Sequence, residues 1–481
     1  MPSATQASPV RYSRPSESQA AADAIPILID HEYHIFHLST PPDTVRHPTR
    51  LRSTWSRLRS RDLVTWARDE VEALYPGKSP DSPDADGAWT GSAIVGPDGN
   101  MHLFYTGYNL SQHGKQVILH AQSSDKQGSV FTKIPSPITI SGDMSLFEDI
   151  DFRDAHVSWN EPESCYWMIV ATRLRSGPYW TRGCFALLTS SDLDEWSIEA
   201  TPFYAPNNMF CPECPEIFSL PNGKCISGSG RTKRSFPNTS RKFRRSLRWP
   251  KMWSWGGDMG MPREISANKD GLLIVEPSRE FIDAYFRHGA VSELPSELTL
   301  SSVGMTISRD LRLGDRSDYL LEFGIACQDA ASFGLLFRTD EDNKGLQLRF
   351  TPTQNGLLDT SLLSCPPPLD DFWADQYALH LPREVDGPEL ARHTSLKIEG
   401  SIVVAVRSDV LEIFAGGKSL SYRLPCTRYA EGSHRTEQVK HTANGALRHD
   451  SPRVKELGVY VDDGEVALKE LSLRYVCSSD R

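Results

Sequence analysis

The chain has 481 residues, 39% of them hydrophobic and 24% charged, which is typical of a globular protein with room for up to about three domains. Asp and Glu outnumber Lys and Arg by 62 to 52, and the net charge of −10 argues against a protein that coats nucleic acid or lies on a membrane. Nine scattered cysteines, an odd number, do not suggest a disulfide framework and favour a reducing compartment.

The first 20 residues are polar and lack the apolar run of a secretion signal, so we expect a disordered tail. No later stretch approaches the roughly 18 uninterrupted apolar residues of a membrane-spanning helix. Together with the cysteine pattern, this predicts a cytoplasmic protein with a neutral or small partner and neither a membrane nor a nucleic-acid partner.

Short apolar runs that follow turn residues recur through the first half of the chain and predict β-strands. These runs align at His34, His102, Trp167 and Cys225. Their spacings are 68, 65 and 58 residues. A second marker, an aromatic residue after a turn, repeats every 65 residues, at Trp66, Phe131 and Trp196. A strand-rich unit of this size predicts an all-β fold built from propeller blades, the alternative being a chance recurrence of common turn-and-strand patterns.

Carboxylates lie upstream of three of these runs. Asp23, Asp154 and Glu213 precede the aligned positions by 11, 13 and 12 residues, and Trp89-Thr90-Gly91-Ser92 occupies the same place in the second unit. At that offset we expect the innermost strand of each blade, so the carboxylates converge on one axial pocket. Mutual repulsion would then leave one carboxyl protonated and another ionised, as glycoside hydrolysis requires. The alternatives are a site for a hard cation such as calcium, or structural salt bridges with neighbours such as Arg153.

Four motifs in this order and spacing resemble those of glycoside hydrolase family 32, the invertase, inulinase and levanase group. They are Phe152-Arg153-Asp154, Pro212-Glu213-Cys214-Pro215, Trp89-Thr90-Gly91-Ser92-Ala93 and the segment from Ser60 to Trp66. The resemblance implies a five-bladed β-propeller over residues 21–278 and a C-terminal β-sandwich over residues 279–481. Alternation in Leu346-Gln347-Leu348-Arg349-Phe350 independently supports strands in the second half.

The resemblance also implies a role for each site residue. Asp23 would be the nucleophile, Glu213 the general acid/base, and Asp154 the transition-state stabiliser that binds fructosyl hydroxyls. Arg153 would help to keep Asp154 ionised, and Cys214 would lie beside the acid/base. Contacts to the sugar or its leaving group would come from Trp55, Trp89 and Thr90. The implied reaction is retaining hydrolysis through a covalent fructosyl-enzyme intermediate, without metal or cofactor.

The chain departs from the family pattern at three places. The segment Ala21-Ala22-Asp23-Ala24-Ile25-Pro26 keeps only the aspartate of the usual nucleophile motif, and Asp30 is the rival nucleophile, although its position predicts a turn. Leu38 stands where many members carry Gln. A Trp-Gly-Gly…Pro-Arg-Glu segment, Trp255 to Glu264, follows Glu213 by only about 50 residues. Either part of the chain is missing there, or the fourth and fifth blades are truncated.

Two further features fall close to Glu213. Residues 231–251 carry nine basic side chains with aromatics among them, which indicates either an anion or nucleic-acid patch or, as we favour, a solvated loop. Cys211 and Cys214 form a Cys-x-x-Cys pair, which could indicate zinc or redox chemistry. A second pair is absent from the sequence, so we favour the family cysteine for Cys214.

The leading hypothesis is a glycosidase that acts on β-fructofuranosyl linkages of sucrose, fructo-oligosaccharides, fructans or difructose anhydrides. A fructosyltransferase would use the same intermediate with a sugar hydroxyl in place of water. The alternative from another class is a catalytically impaired carbohydrate-binding protein on the same scaffold. For the C-terminal domain, a structural role, formation of a homodimer and polymer binding all stay open.

Overall fold

The computed structural model of the chain describes residues 21–39, 53–220, 225–230 as backbone, 259–286, 294–311, 318–338, 345–365, 389–407, 410–423 and 456–476. Contacts divide the chain into two units between Met259 and Gly260. The expected tail at residues 1–20 and the basic segment at residues 231–251 lie outside the described residues. Among the described residues, no helix has the length and apolar composition that crossing a bilayer requires.

The N-terminal unit is built from small antiparallel sheets that follow one another along the chain. Its strands are β1 (Ala21–Ile29), β2 (Glu32–Ser39), β3 (Thr54–Ser60), β4 (Ala67–Arg68), β5 (Gly87–Val95), β6 (Met101–Asn109), β7 (Lys115–Ser123), β8 (Phe131–Lys133), β9 (Thr139–Ser141), β10 (Arg153–Asn160), β11 (Cys165–Arg173), β12 (Gly183–Ser190), β13 (Glu195–Ile198), β14 (Glu213–Ser219) and β15 (Cys225–Gly230). The sheet orders are β1-β2-β3-β4, β5-β6-β7-β8, β10-β11-β12-β13-β9 and β14-β15. Consecutive up-and-down strands of this kind are propeller blades, which confirms the predicted fold class.

The predicted repeat has the same local structure in the first and third sheets. In both, one carboxylate oxygen of the motif aspartate, Asp62 or Asp192, accepts hydrogen bonds from two backbone amides two and three residues later. The indole N–H of Trp66 or Trp196 then donates to the carbonyl three residues earlier, at 2.8 and 3.2 Å. Both indoles are fully buried. The aromatic marker is therefore a core anchor at the outer strand of its blade.

The first strand of each sheet lies next to the first strand of the following sheet. Across the second and third sheets, the Val157 amide donates to the Ser92 hydroxyl at 2.9 Å. The strands β1, β5, β10 and β14 are thus the inner strands, as the offsets predict. Within the described residues the fourth sheet has two strands, whereas the third has five because β9 adds to its outer edge.

The C-terminal unit consists of a hairpin, a short helix and a large folded sheet. Its elements are β16 (Arg263–Ala267), β17 (Leu273–Pro277), α1 (Arg279–Tyr285), β18 (Glu297–Leu311), β19 (Tyr319–Arg338), β20 (Gly345–Pro352), β21 (Leu358–Cys365), β22 (Glu389–Leu396), β23 (Ile402–Arg407), β24 (Val410–Ala415), β25 (Lys418–Arg423) and β26 (Glu456–Tyr475). Leu346, Leu348 and Phe350 are buried in its core, which confirms the alternation predicted for β20.

The hairpin β16-β17 belongs by its contacts to this C-terminal unit. The Val275 amide donates to the Gly417 carbonyl at 2.9 Å, and the Lys418 ammonium donates to the Leu273 carbonyl at 3.0 Å. These bonds place the division of the chain before β16, whereas the sequence predicts a boundary between residues 278 and 279.

Candidate active site

The candidate carboxylates lie at bulges in the inner strands. The pairing register shifts between Ala22 and Ile25 in β1, and equivalent shifts occur at the starts of β10 and β14. Asp23, Asp154 and Cys214 have positive φ angles of 49°, 57° and 49°. A bulge re-aims the side chain of the extra residue, and a positive φ is a strained conformation for most L-residues. The inner strands therefore share one local distortion, at the residues that the sequence singles out.

The second inner strand has its bulge between Trp89 and Gly91. A Cβ atom at Gly91 would collide with the Phe104 carbonyl oxygen of the neighbouring strand, so only glycine fits there. The Thr90 hydroxyl at this bulge donates a hydrogen bond to Asp23 Oδ2. Glycine in the Trp-Thr-Gly-Ser motif thus allows the strand geometry from which Thr90 reaches the first blade.

Two threonines join Asp23 to Asp154 across three blades. The Thr90 carbonyl accepts a hydrogen bond from the Thr106 hydroxyl at 2.8 Å. The same Thr106 hydroxyl accepts from the Asp154 backbone amide, also at 2.8 Å. Thr106 is fully buried in β6 and was not predicted as a site residue. Its only sequence signal is a polar residue near the end of an apolar strand.

Arg153 connects the other carboxylates. Its guanidinium donates to Glu213 Oε1 at 3.2 Å and to Asp151 Oδ1 at 3.0 Å, and its Nε lies 3.6 Å from Asp154 Oδ2. Gln116 Oε1 accepts a further bond at 3.2 Å. Burial lowers the pKa of Arg153, but the Cys211 thiol group and the three carboxylates outweigh it, so the net pKa is raised. Arg153 is therefore a permanent cation within an acidic cluster.

Asp154 is buried, and burial raises its pKa to about 7. Arg153 and the Cys214 backbone amide, which donates to Asp154 Oδ2 at 3.1 Å, lower this pKa. Asp23 and Glu213 raise it further by charge repulsion. Arg153 acts in the predicted direction by favouring ionised Asp154, yet desolvation is the larger effect. The expectation that Arg153 keeps Asp154 fully ionised needs this correction.

The other two carboxylates are open to solvent. Glu213 has 29% of its side chain exposed, and burial raises its pKa although Arg153 lowers it. Asp23 is exposed, but desolvation by the protein around it still raises its pKa, opposed by the Thr90 hydrogen bond. Mutual repulsion adds to the pKa of Glu213, with Asp23 and Asp151 as its sources. Three close carboxyls with raised pKa values are suited to proton transfer near neutral pH.

Trp55 does not lie where the resemblance implies. Its ring is 0% exposed, packs in the core between the first two blades, and donates its indole N–H to the Trp89 carbonyl at 3.1 Å. A ring without exposed surface has no face to offer a sugar, so the structure gives Trp55 a packing position. Trp89 is partly exposed and stacks on Tyr108 with 4.1 Å between ring centroids.

Asp30, the rival nucleophile, lies in the turn between β1 and β2. Its carboxylate accepts hydrogen bonds from Lys126 at 2.7 Å and from Gln127 at 3.0 Å, and the Lys126 bond lowers its pKa. This turn is at the opposite end of β1 from Asp23. Leu38, which replaces a common Gln, is buried in the core of the same blade.

The described residues offer no sign of a metal centre. Their His, Cys, Asp and Glu side chains contain no group of three placed to hold an ion. Cys211 and Cys214 are free thiols, and burial raises the pKa of Cys211 to about 12 and that of Cys214 well above its usual value. Neutral thiols of this kind are poor metal ligands and poor nucleophiles.

Residues 24–241 match the family model described as the glycosyl hydrolases family 32 N-terminal domain. The chain belongs to glycosyl hydrolase family 32. The match begins one residue after Asp23, so the family model itself does not include the candidate nucleophile.

Two curated relatives of this family 32 chain are plant enzymes. A fructan 6-exohydrolase of Beta vulgaris is 27% identical over 205 residues, 42% of this chain and 32% of that protein. Fructan 1-exohydrolase w2 of Triticum aestivum is 30% identical over 196 residues, 40% of this chain and 30% of that protein. The alignments therefore span about a third of the curated relatives' own length.

Solved family 32 structures share the fold over nearly the whole chain. Fructan 1-exohydrolase IIa from Cichorium intybus superimposes with a TM-score of 0.67 at 16% identity, covering 98% of each chain. A structure of that enzyme in complex with 1-kestose gives 0.66 at the same coverage. A β-fructofuranosidase from Bombyx mori gives 0.59, over 95% of this chain and 91% of the other. These matches support a β-propeller followed by a β-sandwich.

Proposed function

We propose that the chain is a retaining glycosidase that hydrolyses β-fructofuranosyl linkages. The observation that carries this proposal is the linkage of Asp23, Asp154 and Glu213 by one hydrogen-bonded path. That path runs through Thr90, Thr106 and Arg153. The three carboxyls differ in exposure and in partners, so they can take different protonation states in one pocket.

In the first step, Glu213 donates its proton to the oxygen of the scissile bond while Asp23 attacks the anomeric carbon. The bond from that carbon to the leaving oxygen breaks, and an ester between the fructosyl group and Asp23 forms. Both side chains are solvent-accessible, as groups that touch substrate must be. A raised pKa keeps a proton on Glu213 for this donation.

In the second step, Glu213, now ionised, removes a proton from water, and the hydroxide oxygen attacks the anomeric carbon. The ester bond to Asp23 breaks, fructose leaves, and Glu213 is protonated again for the next cycle. Asp154 is buried against the Cys214 amide and Arg153, which fix its orientation for binding fructosyl hydroxyls.

The substrate class that we propose is fructo-oligosaccharides and fructans, with sucrose and difructose anhydrides as further candidates. The support is that both plant relatives carry the name fructan exohydrolase and that a matching structure holds 1-kestose. A homodimer and a cytoplasmic location stay predictions from the sequence.

Reducing-sugar release from sucrose, 1-kestose, inulin and levan tests this function. We expect wild-type turnover and losses of at least about 1,000-fold in Asp23→Ala and Glu213→Ala, since each removes a group that reacts with substrate. Asp30→Ala is the matched control, because Asp30 lies at the far end of β1, and it should keep near-wild-type rates. Full activity in Asp23→Ala and Glu213→Ala would overturn the site.

The impaired-binding alternative has its own support in this chain. Only the aspartate of the nucleophile motif is kept in β1, and the fourth sheet has two strands within the described residues. Calorimetry that detects fructan binding, together with no sugar release over days, would favour this alternative. A product longer than the substrate, seen by chromatography, would instead indicate transfer to a sugar acceptor.

A further inference from the structure

Three aromatic side chains form a cluster on the surface of the third blade, which we name the aromatic rim: Tyr179, Trp180 and Phe210. Their ring centroids are 5.0 to 5.2 Å apart. Tyr179 is 51% exposed and Trp180 is 70% exposed. Several large rings that stay together and exposed leave apolar surface in water, which is typical of a binding site.

The strand order places the aromatic rim at the same edge of the propeller as the carboxylates. Tyr179 and Trp180 lie in the connection from β11 to β12, and Phe210 lies in the connection that leads into β14. Because strands alternate in direction, both kinds of connection lie at the edge where the inner strands begin. Asp23, Asp154 and Glu213 are within the first three residues of their inner strands. Phe210 precedes Glu213 by three residues.

Arginine side chains support the rings of the aromatic rim. The Arg173 guanidinium carbon lies 4.5 Å from the centroid of Phe210 and 5.3 Å from that of Tyr179. Arg182 lies 5.2 Å from Tyr179. Both arginines are mostly buried and are paired with Glu148. Cation–π contacts from buried guanidinium groups hold the rings in place while other faces remain exposed.

The same arginine links the aromatic rim to the catalytic groups. Arg173 Nε lies 2.8 Å from Asp151 Oδ2, and the other oxygen of Asp151 accepts from Arg153 at 3.0 Å. Arg153 in turn donates to Glu213. The Gly183 amide also donates to the Met209 carbonyl at 2.9 Å, which fastens the segment before Phe210 to β12. The aromatic rim is therefore preorganised beside Glu213.

We propose that the aromatic rim is a sugar-binding subsite on the leaving-group side, where a hexose ring of an oligosaccharide substrate stacks on Trp180. The choice of an oligosaccharide rests on the proposed function. Exposed indole and phenol rings present flat apolar faces, and the C–H groups of a sugar ring pack on such faces. Glu213 would protonate the leaving oxygen, so aromatic residues next to it in the chain adjoin the departing sugar. The subsite would favour substrates longer than a disaccharide.

Binding is measured by calorimetry in the Glu213→Gln background, with 1-kestose, a longer inulin-type oligosaccharide and fructose as ligands. We expect Trp180→Ala to weaken oligosaccharide binding about fivefold to tenfold, the factor expected for one aromatic stack. Fructose affinity should change less than twofold, and Trp180→Phe should recover most of the loss. Trp159→Ala is the matched control, since Trp159 is 46% exposed at the opposite end of the third blade, and it should bind like its parent.

The outcomes separate this proposal from the catalytic one. Oligosaccharide affinity that is equal in Trp180→Ala and its parent would overturn the subsite, while turnover that is lost in Glu213→Gln would still support hydrolysis. Affinity that falls in Trp180→Ala, in a protein without wild-type turnover, would support the subsite and overturn hydrolysis. An equal loss in Trp159→Ala would contradict a specific role of the aromatic rim.

Discussion

Arg153 donates a hydrogen bond to Glu213 Oε1 at 3.2 Å, so a residue of the third blade holds the candidate acid/base of the fourth. The same guanidinium also lowers the pKa of the buried Asp154 carboxyl. One cation thus acts on the proton donor and on the residue expected to bind fructosyl hydroxyls. Several consequences of this arrangement can be measured.

Arg153→Gln should move the pH–rate profile to higher pH. Arg153 lowers the pKa of both Asp154 and Glu213, so its removal raises both. Ionisation of Asp154 limits activity on the acid side and protonation of Glu213 limits it on the alkaline side, so both limbs of kcat/KM against pH shift upward. Arg61→Gln, on an exposed turn of the first blade, is the control and should leave the profile in place. A shift to lower pH would contradict these assignments.

Thr90→Val should slow turnover about tenfold and raise the acid limb of the profile. The Thr90 hydroxyl donates to Asp23 and lowers its pKa, so valine leaves a carboxylate that ionises only at higher pH. Thr90→Ser keeps the hydroxyl and should restore most of the rate. If valine and serine behave alike, the hydrogen bond has no part in activating Asp23.

Asp154→Asn should stabilise the protein at alkaline pH while it abolishes turnover. The pKa of Asp154 is about 7 when folded against an ordinary 3.8, so the folded state binds this proton more tightly than the unfolded chain does. That stabilisation is complete below about pH 4 and is lost as the pH rises through 7. A neutral asparagine avoids the loss, which is at most about 4 kcal/mol at pH 8.

Urea unfolding at pH 4 and pH 8 measures this difference. The free energies of unfolding of Asp154→Asn and wild type should be similar at pH 4, and the variant should be more stable at pH 8. A variant that is less stable at pH 8 would show that the carboxylate is stabilising when ionised, contrary to its burial. Such a gain in stability with lost activity is typical of a residue kept for function.

Gly183→Ala should destabilise the N-terminal unit by about 1–3 kcal/mol and lower activity. A Cβ atom at Gly183 would lie 2.9 Å from the Met209 carbonyl oxygen and 3.0 Å from the Cys211 Cα, both backbone atoms that cannot rotate away. The shift would displace the segment that carries Phe210 and Glu213. Thermal unfolding together with kcat on 1-kestose checks this; unchanged values for both would contradict the close approach.

Local sequence patterns determined the repeat and the identity of the carboxylates. Trp66 and Trp196 recur because each blade needs a buried anchor at its outer strand, and a turn motif of seven residues encodes that anchor completely. Asp23, Asp154 and Glu213 could be found from their offsets because an inner strand precedes each apolar run by a constant length. Composition and alternation likewise sufficed for the all-β class.

Only the tertiary structure decided which side chains act on these carboxylates. Thr106 joins Asp23 to Asp154 because two bulges bring three blades together, and nothing near Thr106 in the chain signals this. Trp55 is in a family-like position but is buried, since its neighbours come from another blade. Hydrogen bonds and desolvation depend on distances between residues far apart in the chain, whereas periodicity records only neighbours along it.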